Sequence, residues 1–419
     1  MEGLGQQIDR MLAVNWFNEV FQNYFHGDKK FIGMGIAVVL LIICIALIIV
    51  NSYNTFTPEN TSMHLKSYLT EFEPIYGAAG NTRKNLNQYI TTLAANDKTF
   101  TSQQKCLGNF YVMTANAGGI FLPGPNHTNA VCSVDAVSFC LRAGVRGFVF
   151  DVLEKLSDKG KPVIYLADPY PTKRWRQISM NVVPLRDPIN RLRAEAFGEG
   201  SLGQTQIVQL KNTSDPIFIY LRFTKKHTVD FYDAVADSLD NAFKDYRLDY
   251  TWGSCSRETD FYATDVKEFM GRVIIMSNQF GGYLEGSRLE SFINITAPTG
   301  IEKYYTGSQI KGLATDVAEV KAKIQQHMTV ALDPAGTPES LNNSIDWKRA
   351  HDLGIHMVAM NWWNKNVDGY RQEFGEYSFK LKPVNLRYNV RVADKPKVPG
   401  ADANPKNGEI ILPEMNLRM

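Results

Sequence analysis

Residues 31–50 read FIGMGIAVVLLIICIALIIV, twenty consecutive positions without a charged side chain. At a rise of about 1.5 Å per residue, a helix of that length spans roughly 30 Å, the thickness of a bilayer's hydrocarbon core. A helix packed against a water-soluble core keeps a polar stripe, and this stretch has none. A secretory signal has a shorter apolar region that ends in small residues, whereas this one ends in LIIV followed by NSYN. The expectation is a transmembrane signal-anchor at 31–50, with the lipid bilayer as its partner.

The flanks of that stretch suggest an orientation. Arg10, Lys29 and Lys30 precede it, and the first cation after it is Lys66. The positive-inside rule then expects residues 1–30 in the cytoplasm and the remainder on the lumenal or extracellular side. Cys106, Cys132, Cys140 and Cys255 fall on the expected outer side, an even number that allows two bridges or four buried thiols. Sequons at Asn60, Asn126, Asn212, Asn294 and Asn342 agree with that topology.

Several function classes drop out on composition and motif. Lys+Arg number 45 against 43 Asp+Glu, a formal charge of +2, so no basic field argues for nucleic acid. At 44% hydrophobic and 21% charged residues the chain is neither disordered nor fibrous. There is no CxxC, GxxxxGK[ST], HExxH or GxSxG, so zinc ribbons, phosphate loops, zincins and hydrolase elbows lose their usual signature. The histidines at 26, 64, 127, 227, 327, 351 and 356 show no metal-ligand spacing. His351 and His356 flank an apolar strand, where a structural role is expected.

Along the chain the expected divisions are a cytoplasmic amphipathic segment (1–30), the transmembrane helix (31–50), a helical stalk or collar (51–105), an α/β barrel (106–388) and an extended tail (389–419). The first segment spaces Ile8, Leu12, Trp16, Phe17, Val20, Phe21, Tyr24 and Phe25 helically, which suits a membrane interface or a partner protein. The stalk has helix-like stretches around 62–74 and 83–95. From about 106, apolar runs at 110–113, 145–153, 162–167, 215–223, 271–278, 328–332 and 355–362 alternate with helix candidates at 132–143, 185–198, 228–246 and 309–327. Continuous apolar strands separated by helices imply a parallel sheet covered on both faces, and this number of units fits a TIM-type (β/α) barrel. In the tail, IILPEMNL is a short apolar segment suited to docking on a neighbouring protein of an assembly. KRWR at 173–176 is a basic cluster whose default reading is a solvated loop. The pair Trp362–Trp363 is expected under the barrel rim.

Residues 351–387, HDLGIHMVAMNWWNKNVDGYRQEFGEYSFKLKPVNLR, resemble the end of the catalytic barrel of eukaryotic-type phosphoinositide-specific phospholipase C. That family has G-x-Q-M-V-A-L-N-F-Q followed by G-Y-x-L-K-P-x-x-L-R; here Gly354, Met357, Val358, Ala359 and Asn361, then Lys380, Leu381, Lys382, Pro383, Leu386 and Arg387, fall in that order. AGVRGFVFDVL, PVIYLAD and PIFIYLRF are similar to the family's G-C-R-C-V-E-L-D, P-x-V-Y-H-G-H and P-V-I-L-S-L-E segments, so the resemblance covers about 106–387.

The resemblance implies a phosphodiester-cleaving site with two histidines as general base and acid and a calcium ion on the substrate oxygens. Matched residue by residue, that site is degenerate. Ala115 stands where the first histidine belongs, and Asn116 keeps the place of a calcium ligand. Val149 replaces a glutamate and Asp151 keeps an aspartate. Asp168 replaces the second histidine, Arg222 the third calcium carboxylate, and Met276 and Asn278 the two phosphate-binding lysines. Losing a positioned acid or base costs about 10²–10⁴-fold in rate, and one Asp with one Asn cannot satisfy a cation that takes six to eight oxygens. No catalytic residue, metal or cofactor is therefore expected. The expected role is that of a pseudoenzyme acting as a structural or binding component of a membrane-associated assembly, such as a virion coat or its inner membrane. The alternative is a phosphodiesterase rebuilt around Asp151, Asp168 and Arg222, with the two aspartates as an acid–base pair. Arg222 is expected to pair with Asp151 or Asp168.

Overall fold

The computed structural model describes residues 37–48 and most of 83–388, the larger omissions in the latter range being 117–120, 123–130, 156–159, 169–175, 199–209, 299–302, 335–342 and 363–366. The chain divides into two compact units, Met1–Glu71 and Phe72–Met419. In the first, residues 37–48 are helical, with Val38, Leu40, Ile42, Ile45 and Leu47 all exposed. Among the described residues no helix is long and apolar enough to cross a membrane. The ends of the expected anchor, 31–36 and 49–50, lie outside them, as do the segments 1–30 and 389–419 and Lys173, Arg174 and Trp175 of the basic cluster.

The second unit is a curled sheet of parallel strands. In chain order these are β1 (Phe110–Ala115), β2 (Gly147–Glu154), β3 (Ile217–Phe223), β4 (Val273–Ser277), β5 (Ile295–Thr296), β6 (Tyr304–Tyr305), β7 (Val330–Ala331) and β8 (Met357–Met360). Their spatial order is β5-β4-β3-β2-β1-β8-β7-β6, which is the cyclic order of a (β/α)₈ barrel. Among the described residues no ladder joins β5 to β6. A ninth strand, β9 (Phe379–Leu381), pairs antiparallel with the start of β1.

Side-chain alternation fills the interior. Val112, Met357, Val330 and Tyr304 follow one another across β1, β8, β7 and β6, while Val149, Tyr220, Met276 and Ile295 do so across β2 to β5. All eight belong to one buried cluster, so the barrel centre is a packed core and not a channel. Residues of the opposite phase, such as Phe148, Phe150, Ile219, Leu221 and Ile275, are equally buried, as strands roofed by helices require. Gly147 is needed at its position: a Cβ there would collide with Thr114 Oγ1 of the neighbouring strand.

The expected helices form with shifted ends: Asp135–Ala143, Arg186–Ala196, Val229–Phe243, and the pair Gly307–Gly312 and Val317–Ile324 where one helix was expected. Val229–Phe243 is capped by Thr228, whose hydroxyl accepts from the Phe231 N–H, and it turns Phe231, Val235, Leu239 and Phe243 inward at helical spacing.

Two expectations need correction. The run 162–167 is not a barrel strand. β2 is eight residues long and overshoots the barrel, and Pro162–Ile164 pairs antiparallel with its protruding end through Leu153↔Val163. Nor does a separate stalk extend to residue 105. The helix Leu86–Asn96 contributes Leu86 and Ile90 to the barrel core beside Phe110, Phe218 and Phe379, so it closes the barrel's N-terminal end. The Leu86 N–H donates to Asp215 Oδ1 (2.7 Å), and Arg83 Nη1 donates to the carbonyls of Gly375 (2.7 Å) and Tyr377 (2.8 Å).

Candidate functional site

In a parallel barrel, chemistry is built at the C-terminal ends of the strands, where inward side chains of several strands converge. Asp151 and Arg222 are Cα partners in the β2–β3 ladder, in phase with the inward pair Val149 and Tyr220. Arg222 donates from Nη2 to Asp151 Oδ2 (2.8 Å) and from Nε to Asp151 Oδ1, closing a two-pronged ion pair. Its third donor, Nη1, reaches the backbone carbonyl of Asp333 (2.6 Å), just after β7. Arg222 is 4% exposed and Asp151 8%, so the pair is nearly dry.

Burial opposes the charge on Arg222, but the attraction and hydrogen bonds of Asp151 outweigh it, and the guanidinium is held above its ordinary pKa. Burial lifts the phenol of Tyr304, from β6, and outweighs the charge of Arg222, which favours the phenolate. Tyr220 lies beneath, its hydroxyl donating to the Ala297 carbonyl (2.7 Å) and its pKa pushed well up by burial. Asp333 is committed as well: Oδ1 accepts from the Gly307 N–H (2.8 Å) and Oδ2 from Ser344 Oγ (2.8 Å).

The remaining residues singled out in the sequence are placed as follows. Val149 and Met276 are fully buried members of the barrel core. Asn116, just past β1, shares the phase of Val112 and Thr114 and is buried, whereas Ala115 lies on the opposite phase, level with Phe148. Asn278 is spent on backbone, with Oδ1 accepting from the Phe223 N–H (2.8 Å) and Nδ2 donating to the Phe223 carbonyl (2.7 Å). Asp168 sits on a two-residue strand paired with Arg176, outside the main sheet. The structure thus brings Asp151 to Arg222. Trp362 is buried under the rim with Nε1 donating to the Thr114 carbonyl (3.1 Å); Trp363 lies outside the described residues.

This arrangement does not fit a divalent cation. Both oxygens of Asp151 accept from Arg222, and the fixed positive charge against the carboxylate would repel an approaching cation. Among the described residues no group of three or more His, Cys, Asp or Glu could hold a metal ion. One partner and one electrostatic neighbour of the arginine were missed in the sequence. Asp333 acts through its backbone carbonyl, which carries no side-chain signature, and Tyr304 comes from a strand too short to show periodicity.

Three of the described histidines take structural places. His351 is stacked on Tyr111 (ring centroids 4.1 Å apart), and burial pushes its pKa down to about 3. His227 is stacked on Phe231 (4.0 Å), with Nδ1 3.8 Å from Glu154 Oε2, and burial lowers it to about 4. His356 lies at the barrel's other end, just before β8. The Thr329 N–H points at its Nδ1 (3.3 Å), so Nδ1 accepts and the ring proton is on Nε2. Nε2 lies 2.9 Å from the Gly108 carbonyl and 2.7 Å from Lys382 Nζ. The one hydrogen on Nε2 serves the Gly108 carbonyl, and burial drives the Lys382 amine well below the ordinary lysine pKa.

No protein-family profile and no curated protein matches this chain in sequence. Solved structures do match in fold. PLC21 of S. officinalis aligns over 70% of this chain and 39% of its own, with a TM-score of 0.50 and 13% identity. PLC21 of L. pealei aligns over 68% of this chain and 38% of its own, with a TM-score of 0.49 and 13% identity. The phosphatidylinositol-specific phospholipase C of Listeria monocytogenes aligns over 65% of this chain and 95% of its own, at 0.36 and 14%. The chain therefore spans less than two fifths of the two PLC21 proteins. Its barrel, with strands in (β/α)₈ order, has the TIM-type fold of phosphoinositide-specific phospholipase C catalytic domains.

Proposed function

We propose that this chain is a membrane-anchored, catalytically silent phospholipase C-like protein whose barrel serves as a structural block in a membrane-associated assembly. The observation that carries the reading is the seating of Arg222 against Asp151 at the barrel mouth. An arginine there supplies the positive charge that a divalent ion would supply to substrate, but it is spent on holding a carboxylate. Asp151, with both oxygens occupied, is no general base. The anchor is supported by the all-round apolar character of 31–50 and by the exposed aliphatic side chains of 37–48, which lipid would cover. The aromatic helix pattern of 1–30 and the apolar segment in the tail would contact neighbouring proteins.

The test uses the full chain in lipid nanodiscs. Calorimetry with calcium and with inositol phosphates is run beside a phosphodiesterase assay on phosphatidylinositol. Silence in both is the expected result. Turnover that disappears in Asp151→Asn would overturn the reading and establish a rebuilt enzyme instead.

A further inference from the structure

Asn212-Thr213-Ser214 and Asn294-Ile295-Thr296 are acceptor sequences for N-linked glycosylation. An oligosaccharide is attached to the side-chain nitrogen of asparagine, so that atom must face solvent in any folded protein that carries one. Neither of these does. Asn212 is 0% exposed; its Nδ2 donates to Ser378 Oγ (2.9 Å), and its backbone carbonyl accepts from Arg146 Nη2 (2.7 Å). Asn294 is 5% exposed; its Nδ2 donates to the Trp252 carbonyl (3.0 Å) while its Oδ1 accepts from the Ile275 N–H at the edge of β4 (2.8 Å). Each amide bridges distant parts of the chain, with no space at the nitrogen for a sugar.

Order in time makes this a statement about place. Oligosaccharide transfer acts on extended chain as it enters a glycosylating lumen, before a barrel whose first and last strands pair has closed. A sugar on either asparagine would have to be buried in the core, leaving its hydroxyls unsatisfied and breaking the bonds just described. The fold is reachable only with both sites unmodified.

We propose that the barrel matures in a compartment without N-linked glycosylation, which in a eukaryotic cell is the cytosolic side of the membrane. This inference does not depend on whether the barrel is an enzyme. It opposes the orientation suggested by Arg10, Lys29 and Lys30. Those cations bias insertion by modest energies, whereas a glycan in the core is incompatible with the fold, so burial decides.

The experiment uses mammalian cells and two forms, the full chain as it stands and a form in which residues 1–71 are replaced by a cleavable secretion signal, so that the unit Phe72–Met419 enters the lumen without the apolar segment 31–50. Readouts are the mass shift on glycosidase treatment, site mapping by peptide mass spectrometry, and the fraction of protease-resistant barrel. The native form is expected to be folded and to carry no sugar at Asn212 or Asn294. The signal-directed form is expected to be modified at one or both and to lose its protease-resistant fraction. That fraction should return when both acceptors are removed by Ser214→Ala with Thr296→Ala, or when oligosaccharide transfer is inhibited, an arm that needs no substitution. A protease-resistant barrel bearing sugar at either site would overturn the proposal. So would a signal-directed form that folds with both sites skipped, or a folded fraction unchanged by the inhibitor.

Discussion

At the C-terminal mouth Arg222 is buried and charged because Asp151 faces it, whereas at the opposite end Lys382 is buried against the neutral ring of His356. Asp215 and Arg146 share that second end. Burial lifts the Asp215 carboxyl to about 7 and lowers Arg146 to about 10, each partly offset by the other. One barrel thus handles ionisable groups inside it in two ways. Where partners meet with complementary geometry the charge is retained, and where they do not the pKa moves toward the neutral form. A retained pair is fragile to loss of one partner. A neutralised group instead makes stability depend on pH.

The largest effect should come from breaking the retained pair. Arg222→Ala leaves Asp151 buried without its partner and is expected to lower unfolding free energy by about 3–5 kcal/mol in urea titrations. The double variant Asp151→Leu with Arg222→Met is expected to recover most of that loss. If the single and double variants are equally damaged, retention of charge is not what the pair contributes.

Lys382→Met should act in the opposite direction. Lys382 has a depressed folded pKa, so between that value and the ordinary lysine value of about 10.4 the unfolded chain binds the extra proton and stability rises with pH. The variant removes that cost, leaves His356 Nε2 donating to Gly108, and is expected to gain on the order of 1 kcal/mol or more at neutral pH. A loss of stability would mean that Lys382 is charged in the fold. The smallest effect is expected for Asp215→Asn, in which Oδ1 can still accept the Leu86 N–H. A carboxyl raised to about 7 contributes stability that is complete below its unfolded value of 3.8 and lost as pH rises through about 7. The variant should flatten that slope between pH 4 and 7, and an unchanged slope would assign it to another group.

Strands that are long and apolar throughout, such as Ile217–Phe223, were legible in the sequence because burial on both faces leaves a continuous run. β5 and β6 have two residues each and lie in no such run, so these two of the eight strands were invisible. The helix Leu86–Asn96 passed for a polar stalk because closing a barrel end takes only a narrow apolar face, here Leu86 and Ile90. At the mouth, the meeting of Asp151 with Arg222 was readable from residue types on adjacent strands. The contribution of Asp333 was not, since a backbone carbonyl leaves no trace in composition. The run 162–167 misled because it matches a family segment in letters while its strand pairs with the overshooting end of β2.

The placing of β1 between β2 and β8, with β9 across its start, has a consequence for synthesis. A ribosome delivers β1 early, and Met357–Met360 and Phe379–Leu381 only near the end of the domain. Until then one side of β1 exposes unpaired amides and carbonyls beside Phe110 and Val112, a template for pairing with another nascent chain. Premature termination before Phe379 would therefore give a sticky product and not a smaller working barrel.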